Sequence, residues 1–194
     1  IYDVLLNGVE PQKRVVSTRY GDVLPSSKGL AGAGVELVGA QDREHLLRRA
    51  LEQLSPSYDY IFVDCPPSLE LLTLNGLCAA DSALVPVQSE YFALEGLSDL
   101  MYTIRAVRRA LNPQLELEGV LLTMFDSRTN LAVQVAEEVK RFFPGKVYST
   151  VIPRNVRLSE APSHGKPICA YDRASRGCEA YAALAEEFLR KNNH

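Results

Sequence analysis

The sequence from residue 58 onward alternates between short apolar runs and longer segments with helical spacing of apolar residues. The apolar runs predict buried strands at 58–64, 82–88, 117–125 and 146–153. The segments that follow them predict amphipathic helices over 68–80, 93–111, 130–143 and 177–191. Strands that alternate with helices are typical of βαβ units. The pattern therefore predicts an α/β fold with a mostly parallel, twisted sheet and helices on both faces.

The first 57 residues are less regular. Residues 42–54 have the spacing of an amphipathic helix, residues 2–8 predict one or two helical turns, and residues 21–27 predict a strand that leaves the sheet. The glycine-rich stretch 28–39 does not fit the G-x-G-x-x-G pattern and favours close helix packing or a turn over phosphate binding. Because no linker or repeat interrupts the chain, we predict one domain over 1–194.

Polar residues follow each predicted strand, at the edge where parallel sheets bind their ligands. These strand ends are Asp64-Cys65-Pro66-Pro67, Gln88-Ser89-Glu90, Thr123-Met124-Phe125-Asp126 and Pro153-Arg154-Asn155. We predict that the functional site lies along this edge.

An apolar strand that ends in an aspartate is typical of a Walker B element, whose carboxylate orients Mg²⁺ beside nucleotide phosphates. Asp64 fits this pattern. The pattern alone leaves an alternative open, in which Asp64 or Ser68 only caps the following helix. A P-loop of the form G-x-x-x-x-G-K-[ST] does not occur in the 194 residues.

Arginines cluster after the third and fourth predicted strands, at Arg128, Arg154 and Arg157. Two arginine-bearing loops on neighbouring strands would share one surface and contact a phosphate backbone. The alternative is an ordinary solvated face in which Glu160 is the partner of these arginines.

The amino-acid composition limits the kinds of protein that this chain can be. A net charge of −3 gives no general basic character, so contact with nucleic acid requires a local patch. No apolar stretch is long enough for a membrane span and no signal peptide opens the sequence, so we expect a soluble, cytosolic protein. The four cysteines lack metal-ligand spacing and are predicted to be reduced packing residues, and the scattered histidines argue against a histidine-based triad.

Four long blocks closely resemble the ParA/Soj family of chromosome- and plasmid-partitioning ATPases, which are deviant Walker A proteins related to the septum-site protein MinD. The blocks are YDYIFVDCPPSLELLTLNGL, ADSALVPVQSEYFALEGLSDL, EGVLLTMFDSRTNLAVQVAEEV and VIPRNVRLSEAPSHGKPICAYDRASRGCEAY. With shorter matches in the first 40 residues, the resemblance covers essentially the whole chain. It implies a P-loop NTPase-like fold.

The resemblance also implies a nucleotide site. Asp64 matches the family's Walker B aspartate, which serves catalysis and holds Mg²⁺. Met124 and Pro153 match the positions that pack the adenine ring of ATP, and Arg154 and Asn155 match residues that line that pocket.

The resemblance further implies partners for the chain. Arg128 and Arg157 match arginines that bind DNA without sequence preference. The family forms a homodimer when ATP is bound, is regulated by a ParB-type protein and associates with the nucleoid in the cytoplasm. The absence of a basic amphipathic tail after the last helix argues against a stable membrane anchor and against a MinD-like, membrane-associated protein.

One departure from the family concerns the start of the chain. The family's first strand, its deviant P-loop K-G-G-x-G-K-[ST] and a second strand have no match, since Ile1 aligns after all of them. We therefore expect a chain truncated before the P-loop, forming the C-terminal part of a ParA-type ATPase domain, with no ATP hydrolysis of its own. The alternative is a non-catalytic, DNA- or partner-binding remnant.

Overall fold

A computed structural model describes residues 1–66, 68, 70–90 and 93–192, with the side chains of residues 93 and 95 outside the description. The chain divides into two compact units. The first unit comprises Ile1–Ser82 and Leu100–Glu116, and the second comprises Ala83–Asp99 and Leu117–His194. The single domain over 1–194 stays a prediction.

The first unit is mainly helical. Its helices are α1 (Tyr2–Leu6), α2 (Leu30–Glu36), α3 (Leu46–Glu52) and α4 (Leu71–Ala79), and a small antiparallel pair joins β1 (Val16–Thr18) to β2 (Gly21–Val23). Asn75 of α4 is buried, accepts a hydrogen bond from the Leu47 amide at 3.1 Å and donates to the Arg43 carbonyl at 2.9 Å. This amide group joins α3 to α4. The predicted helix over 42–54 is a short 3₁₀ turn, Arg43–His45, followed by α3.

The strand predicted at 58–64 is wrong for the described residues, because this segment lies outside both sheets. A strand requires the backbone of a neighbouring strand for its ladder of hydrogen bonds. Among the described residues, the sheets pair β1 with β2, and β3 (Ser82–Gln88) with β4 (Glu116–Thr123). The apolar side chains of the segment are partly exposed as a result, with Phe62 at 73%.

The helix α5 (Ala93–Ala110) belongs to both units, and Leu97, Ile104 and Val107 of its predicted apolar stripe are buried. The second unit adds α6 (Asn130–Phe142), α7 (Val156–Glu160), α8 (Ile168–Tyr171) and α9 (Arg176–Asn192). The bounds of α5, α6 and α9 agree with the predicted long helices to within a few residues.

Strands β3 and β4 run in the same direction, as the sequence predicts. The Glu116 amide donates to the Asp81 carbonyl at the start of the pair, and the Ser89 amide donates to the Thr123 carbonyl at its end. The segment 146–153 also runs parallel to β4, but as two isolated bridges, Val120 with Val147 and Phe125 with Pro153, and not as a continuous strand. The fourth predicted strand is therefore interrupted.

Gly119 allows the 146–153 segment to approach β4 closely. A Cβ atom at this position would lie 2.7 Å from the Lys146 carbonyl oxygen and 2.7 Å from the Tyr148 ring. The Tyr148 ring is buried with Leu121 and Ile152. Partly buried apolar side chains of α9 cover this cluster, among them Leu184 and Phe188.

The buried face of α9 differs from the predicted one. The predicted inward residues are Tyr181, Leu184, Ala185, Phe188 and Leu189, but Tyr181 and Leu189 are more than 40% exposed and Ala185 is also exposed. The face that packs on the core instead includes Gly177 and Glu187. The apolar spacing alone missed this rotation, because a glutamate is usually assigned to the solvent face of a helix.

Candidate functional site

Asp64 lies in the first unit, exposed, at the end of the irregular segment that follows β2 and α3 in the chain. Its neighbour Cys65 packs against α4 at Gly76, where a Cβ atom would lie 2.5 Å from the Cys65 Sγ. Cys65 is exposed as a whole residue, but the loss of solvent around its packed Sγ, followed by the charge of Asp64, raises the pKa of the thiol. Close packing on α4 thus holds the residue next to Asp64 and leaves the carboxylate exposed.

The structure does not support the capping alternative for Asp64 or Ser68. Helix α4 begins at Leu71, after the N-cap residue Glu70, which makes no side-chain capping hydrogen bond. Asp64 makes no hydrogen bond or ion pair with the residues that the structure describes. Among the described residues, none competes with a ligand for this carboxylate.

Asp64 lines a cavity whose other lining residues are mainly apolar and include few charged side chains. The cavity has a volume of about 850 Å³, and Ile61, Val63, Leu72 and Lys28 are among its lining residues together with Asp64. Within the described part of the chain, no three His, Cys, Asp or Glu side chains form a group that could hold a metal ion. Mg²⁺ is commonly bound by one or two carboxylates together with water and substrate phosphates. A single Asp64 fits that mode of Mg²⁺ binding.

In the second unit the structure brings the ends of β4 and of the 146–153 segment together. The Phe125 amide donates to the Ile152 carbonyl at 3.1 Å, and the Arg154 amide donates to the Phe125 carbonyl at 3.2 Å. These bonds place Met124 and Pro153 on neighbouring chain segments at one edge of the sheet. Met124 is 38% exposed and has a φ of 52°, in the left-handed region that is uncommon for residues other than glycine.

Arg154 and Asn155 extend this edge. Arg154 Nη2 lies 3.3 Å from Glu90 Oε1, so an ion pair connects it to the residues that follow β3. Asn155 caps α7, where its side-chain oxygen accepts a hydrogen bond from the Arg157 amide at 2.9 Å. The sequence reasoning missed this capping role and the Glu90 contact. An Asn directly before a helical turn is a recognisable capping signal, but the Glu90 contact spans 64 positions and has no local signal.

Arg128 is 86% exposed and makes a two-point ion pair with Asp126. Its Nε lies 2.8 Å from Oδ1 and its Nη2 lies 2.6 Å from Oδ2, and its backbone amide also donates to Oδ1. The hydrogen bonds from Arg128 lower the pKa of Asp126 to about 2. The carboxylate therefore stays charged beside the guanidinium at neutral pH, and a phosphate group has to compete with it for Arg128.

Arg157 is held in the same manner by two carboxylates. Its Nη1 lies 2.8 Å from Glu160 Oε2 and its Nε lies 3.3 Å from Asp172 Oδ2. The Tyr171 hydroxyl donates to the same Glu160 oxygen at 3.1 Å. The hydrogen bonds from Arg157 and then Tyr171 lower the pKa of Glu160. The predicted alternative partner, Glu160, is thus in contact with Arg157, and the role of both arginines toward DNA stays a prediction.

All four cysteines are free thiols, and Cys78 is buried while Cys65 and Cys169 are exposed. Within the described ranges, no helix combines the length and the apolar character needed to cross a lipid bilayer.

The chain matches known proteins over nearly its full length. A family model described as an AAA domain matches residues 1–117. The sporulation initiation inhibitor protein Soj of Bacillus subtilis (strain 168) is 57% identical over 96% of this chain and 75% of its own length. The chromosome partitioning protein ParA of Myxococcus xanthus (strain DK1622) is 55% identical over 99% of this chain and 69% of its own.

A solved structure supports the fold of the chain. Cobyrinic acid a,c-diamide synthase from Mycobacterium smegmatis, with a bound ATP analogue and magnesium, is similar with a TM-score of 0.84 and 38% identity. The match covers 97% of this chain and 71% of that protein. It confirms the predicted α/β fold class of P-loop NTPase type. The chain therefore belongs to the Soj/ParA family of chromosome-partitioning ATPases.

Proposed function

We propose that this chain carries the adenine-binding and magnesium-orienting parts of an ATP-dependent partitioning switch, which acts on a chromosome or plasmid. The observation that carries the proposal is that Met124 and Pro153 lie on neighbouring segments at one edge of the sheet. Backbone hydrogen bonds of Phe125 with Ile152 and Arg154 hold the two segments together. The ATP analogue and magnesium in the 38% identical Mycobacterium smegmatis protein support nucleotide as the ligand.

The residues at this edge suit the recognition of a purine base. Met124 and Pro153 offer apolar surface to an aromatic ring, and Arg154 and Asn155 add polar groups beside it. Asp64 would hold Mg²⁺ through its exposed carboxylate. Bound there with a nucleotide, Mg²⁺ would neutralise charge on the phosphates.

DNA is the second ligand in the proposal. Arg128 and Arg157 are exposed, and each is paired with a carboxylate of a nearby residue, which a phosphate group would have to displace or share. Guanidinium groups of this kind bind phosphate oxygens in two-point contacts that carry no sequence information. A homodimer formed with ATP, a ParB-type regulator and association with the nucleoid complete the proposed cycle.

Nucleotide affinity is the first test. The 194 residues contain no P-loop sequence, and a P-loop supplies the backbone amides and the lysine that hold nucleotide phosphates. We expect titration calorimetry of the chain with Mg-ATP to show weak binding or none, and an assay of phosphate release to show no hydrolysis. Micromolar affinity would contradict the assignment of the main phosphate contacts to a P-loop. In a protein that joins this sequence to a family P-loop segment, DNA binding without ATP hydrolysis would favour the non-catalytic remnant.

DNA contact is tested by Arg128→Ala and Arg157→Ala in a ParA-type protein that contains this sequence. We expect each change to weaken binding equally on unrelated DNA sequences and to lower the slope of log affinity against log salt by roughly 1. Arg141→Ala is the matched control, because Arg141 is also exposed and paired with a nearby glutamate, Glu138. A loss confined to one DNA sequence, or an equal loss in the Arg141→Ala variant, would refute phosphate contact at these sites.

A further inference from the structure

The interruption of the 146–153 segment has a specific cause in α9. The Tyr148 amide donates to the Val120 carbonyl and the Ile152 amide donates to the Leu122 carbonyl, both at 2.9 Å, so the segment pairs with β4 on either side of Ser149 and Thr150. The amides of Ser149 and Thr150 instead donate to Glu187, to Oε1 and Oε2 respectively, each at 2.8 Å. One carboxylate thus accepts hydrogen bonds from two consecutive amides that are not paired with β4.

Glu187 is unusual because its residue is only 6% exposed. Glutamate is rarely buried unless its charge is paired or hydrogen-bonded. Burial alone would raise the pKa of Glu187, but hydrogen bonds from Thr150 and Ser149 outweigh burial and lower the pKa to about 2. The side chain is therefore an ionised carboxylate at neutral pH, and its two hydrogen bonds are of the strong, charge-assisted type.

The bonds to Glu187 lie directly before the proposed base-binding residues. After Thr150 the chain returns to β4 through Ile152 and continues into Pro153 and Arg154. The residue at which the chain pairs with β4 again depends on where Ser149 and Thr150 are held. This register matters because a shift of one residue in a strand turns every side chain to the opposite face.

We propose that Glu187 is a positioning residue, which fixes the Ser149–Thr150 turn so that Pro153 comes back beside Met124 in the register needed for base binding. This role rests on the proposed nucleotide function. Glu187 acts through the backbone of the segment and does not itself contact the base. The residues around it on α9, Leu184 and Phe188, supply the apolar packing on Leu121, Tyr148 and Ile152 but set no hydrogen-bond register.

The test uses Glu187→Gln, which keeps the volume of the side chain but replaces one acceptor oxygen by an amide donor. We expect hydrogen exchange of the amides at 149–152, 154 and 155 to rise about tenfold or more, while exchange in β3 and α6 stays unchanged. Glu186→Gln is the matched control, since the neighbouring Glu186 is exposed, and it is expected to leave exchange unchanged everywhere.

A second readout uses the two methionines of the sequence, Met101 and Met124. With ¹³C-labelled methyl groups, we expect Glu187→Gln to shift or broaden the Met124 signal and to leave the Met101 signal in place. A uniform rise in exchange across the chain, or an unmoved Met124 signal, would show that Glu187 is only a structural residue and would overturn the proposal.

Mg-ATP added to a ParA-type protein in which this sequence is joined to a family P-loop segment separates the two levels of the proposal. If Mg-ATP shifts the Met124 methyl signal, and does so less in Glu187→Gln than in Glu186→Gln, both base binding and positioning are supported. If Mg-ATP leaves the Met124 signal of that protein unmoved, the base-binding function fails, whereas the exchange data still decide whether Glu187 positions the segment. If Glu187→Gln does not fold, Glu187→Asp replaces it. It keeps the charge but shortens the side chain, and it should raise exchange locally at 149–150.

Discussion

Asp64→Asn is expected to lower Mg²⁺-dependent ATP turnover by about 10²-fold or more, equal to a loss of about 3 kcal/mol of transition-state stabilisation. The expectation applies to a protein in which this sequence is joined to a family P-loop segment. Asn keeps the size of the side chain but removes the charge that would orient Mg²⁺. Nucleotide affinity should fall far less than turnover, because Met124 and Pro153 are unchanged. Steady-state kinetics with Mg-ATP and a parallel binding titration measure the two effects.

The Asp64 prediction has a control in the same segment. Asp59 is an exposed aspartate close to Asp64 in sequence, and Asp59→Asn should leave turnover unchanged. Folding should survive Asp64→Asn, because the described residues make no hydrogen bond or ion pair to that carboxylate. Normal hydrolysis by the Asp64→Asn variant, with normal folding, would rule out a role for Asp64 in Mg²⁺ binding.

Gly119→Ala is expected to lower the free energy of unfolding by about 2 kcal/mol or more. The new Cβ atom would lie 2.7 Å from the Lys146 carbonyl oxygen and 2.7 Å from the Tyr148 ring. The carbonyl belongs to the backbone that pairs with Val120, so the clash cannot be relieved by rotating a side chain. Urea unfolding followed by circular dichroism measures the change through a lower midpoint at constant slope.

Gly34→Ala is the control for Gly119→Ala. Gly34 lies within α2, where no described atom lies within 4 Å of the Cβ position. Alanine is favoured over glycine in a helix by about 1 kcal/mol, so this variant should be more stable than the parent chain. An unaffected Gly119→Ala variant would contradict the close approach of the 146–153 segment to β4, and a Gly34→Ala variant destabilised to the same extent would show that the loss is not specific to position 119.

Elements whose signals are local can be predicted from the amino-acid sequence alone. Strand β3 and the helices α5, α6 and α9 lie where the apolar spacing predicts them, because that spacing follows the period of each element, although the buried face of α9 is rotated from the predicted one. The ion pair between Arg128 and Asp126 could also be predicted from the sequence, since only two positions separate the two residues.

Features that depend on residues far apart in the chain are visible only in the folded protein. The apolar segment 58–64 is not a strand among the described residues, because strand formation depends on a neighbouring backbone and not on its own composition. Arg154 meets Glu90 across 64 positions, and Glu187 meets the amides of Ser149 and Thr150 across 38 and 37 positions. Local periodicity assigns a glutamate such as Glu187 to the solvent face. In the folded protein, the two amides donate hydrogen bonds that offset the cost of burying the Glu187 carboxylate. Through the same two bonds, Glu187 holds the proposed base-binding segment.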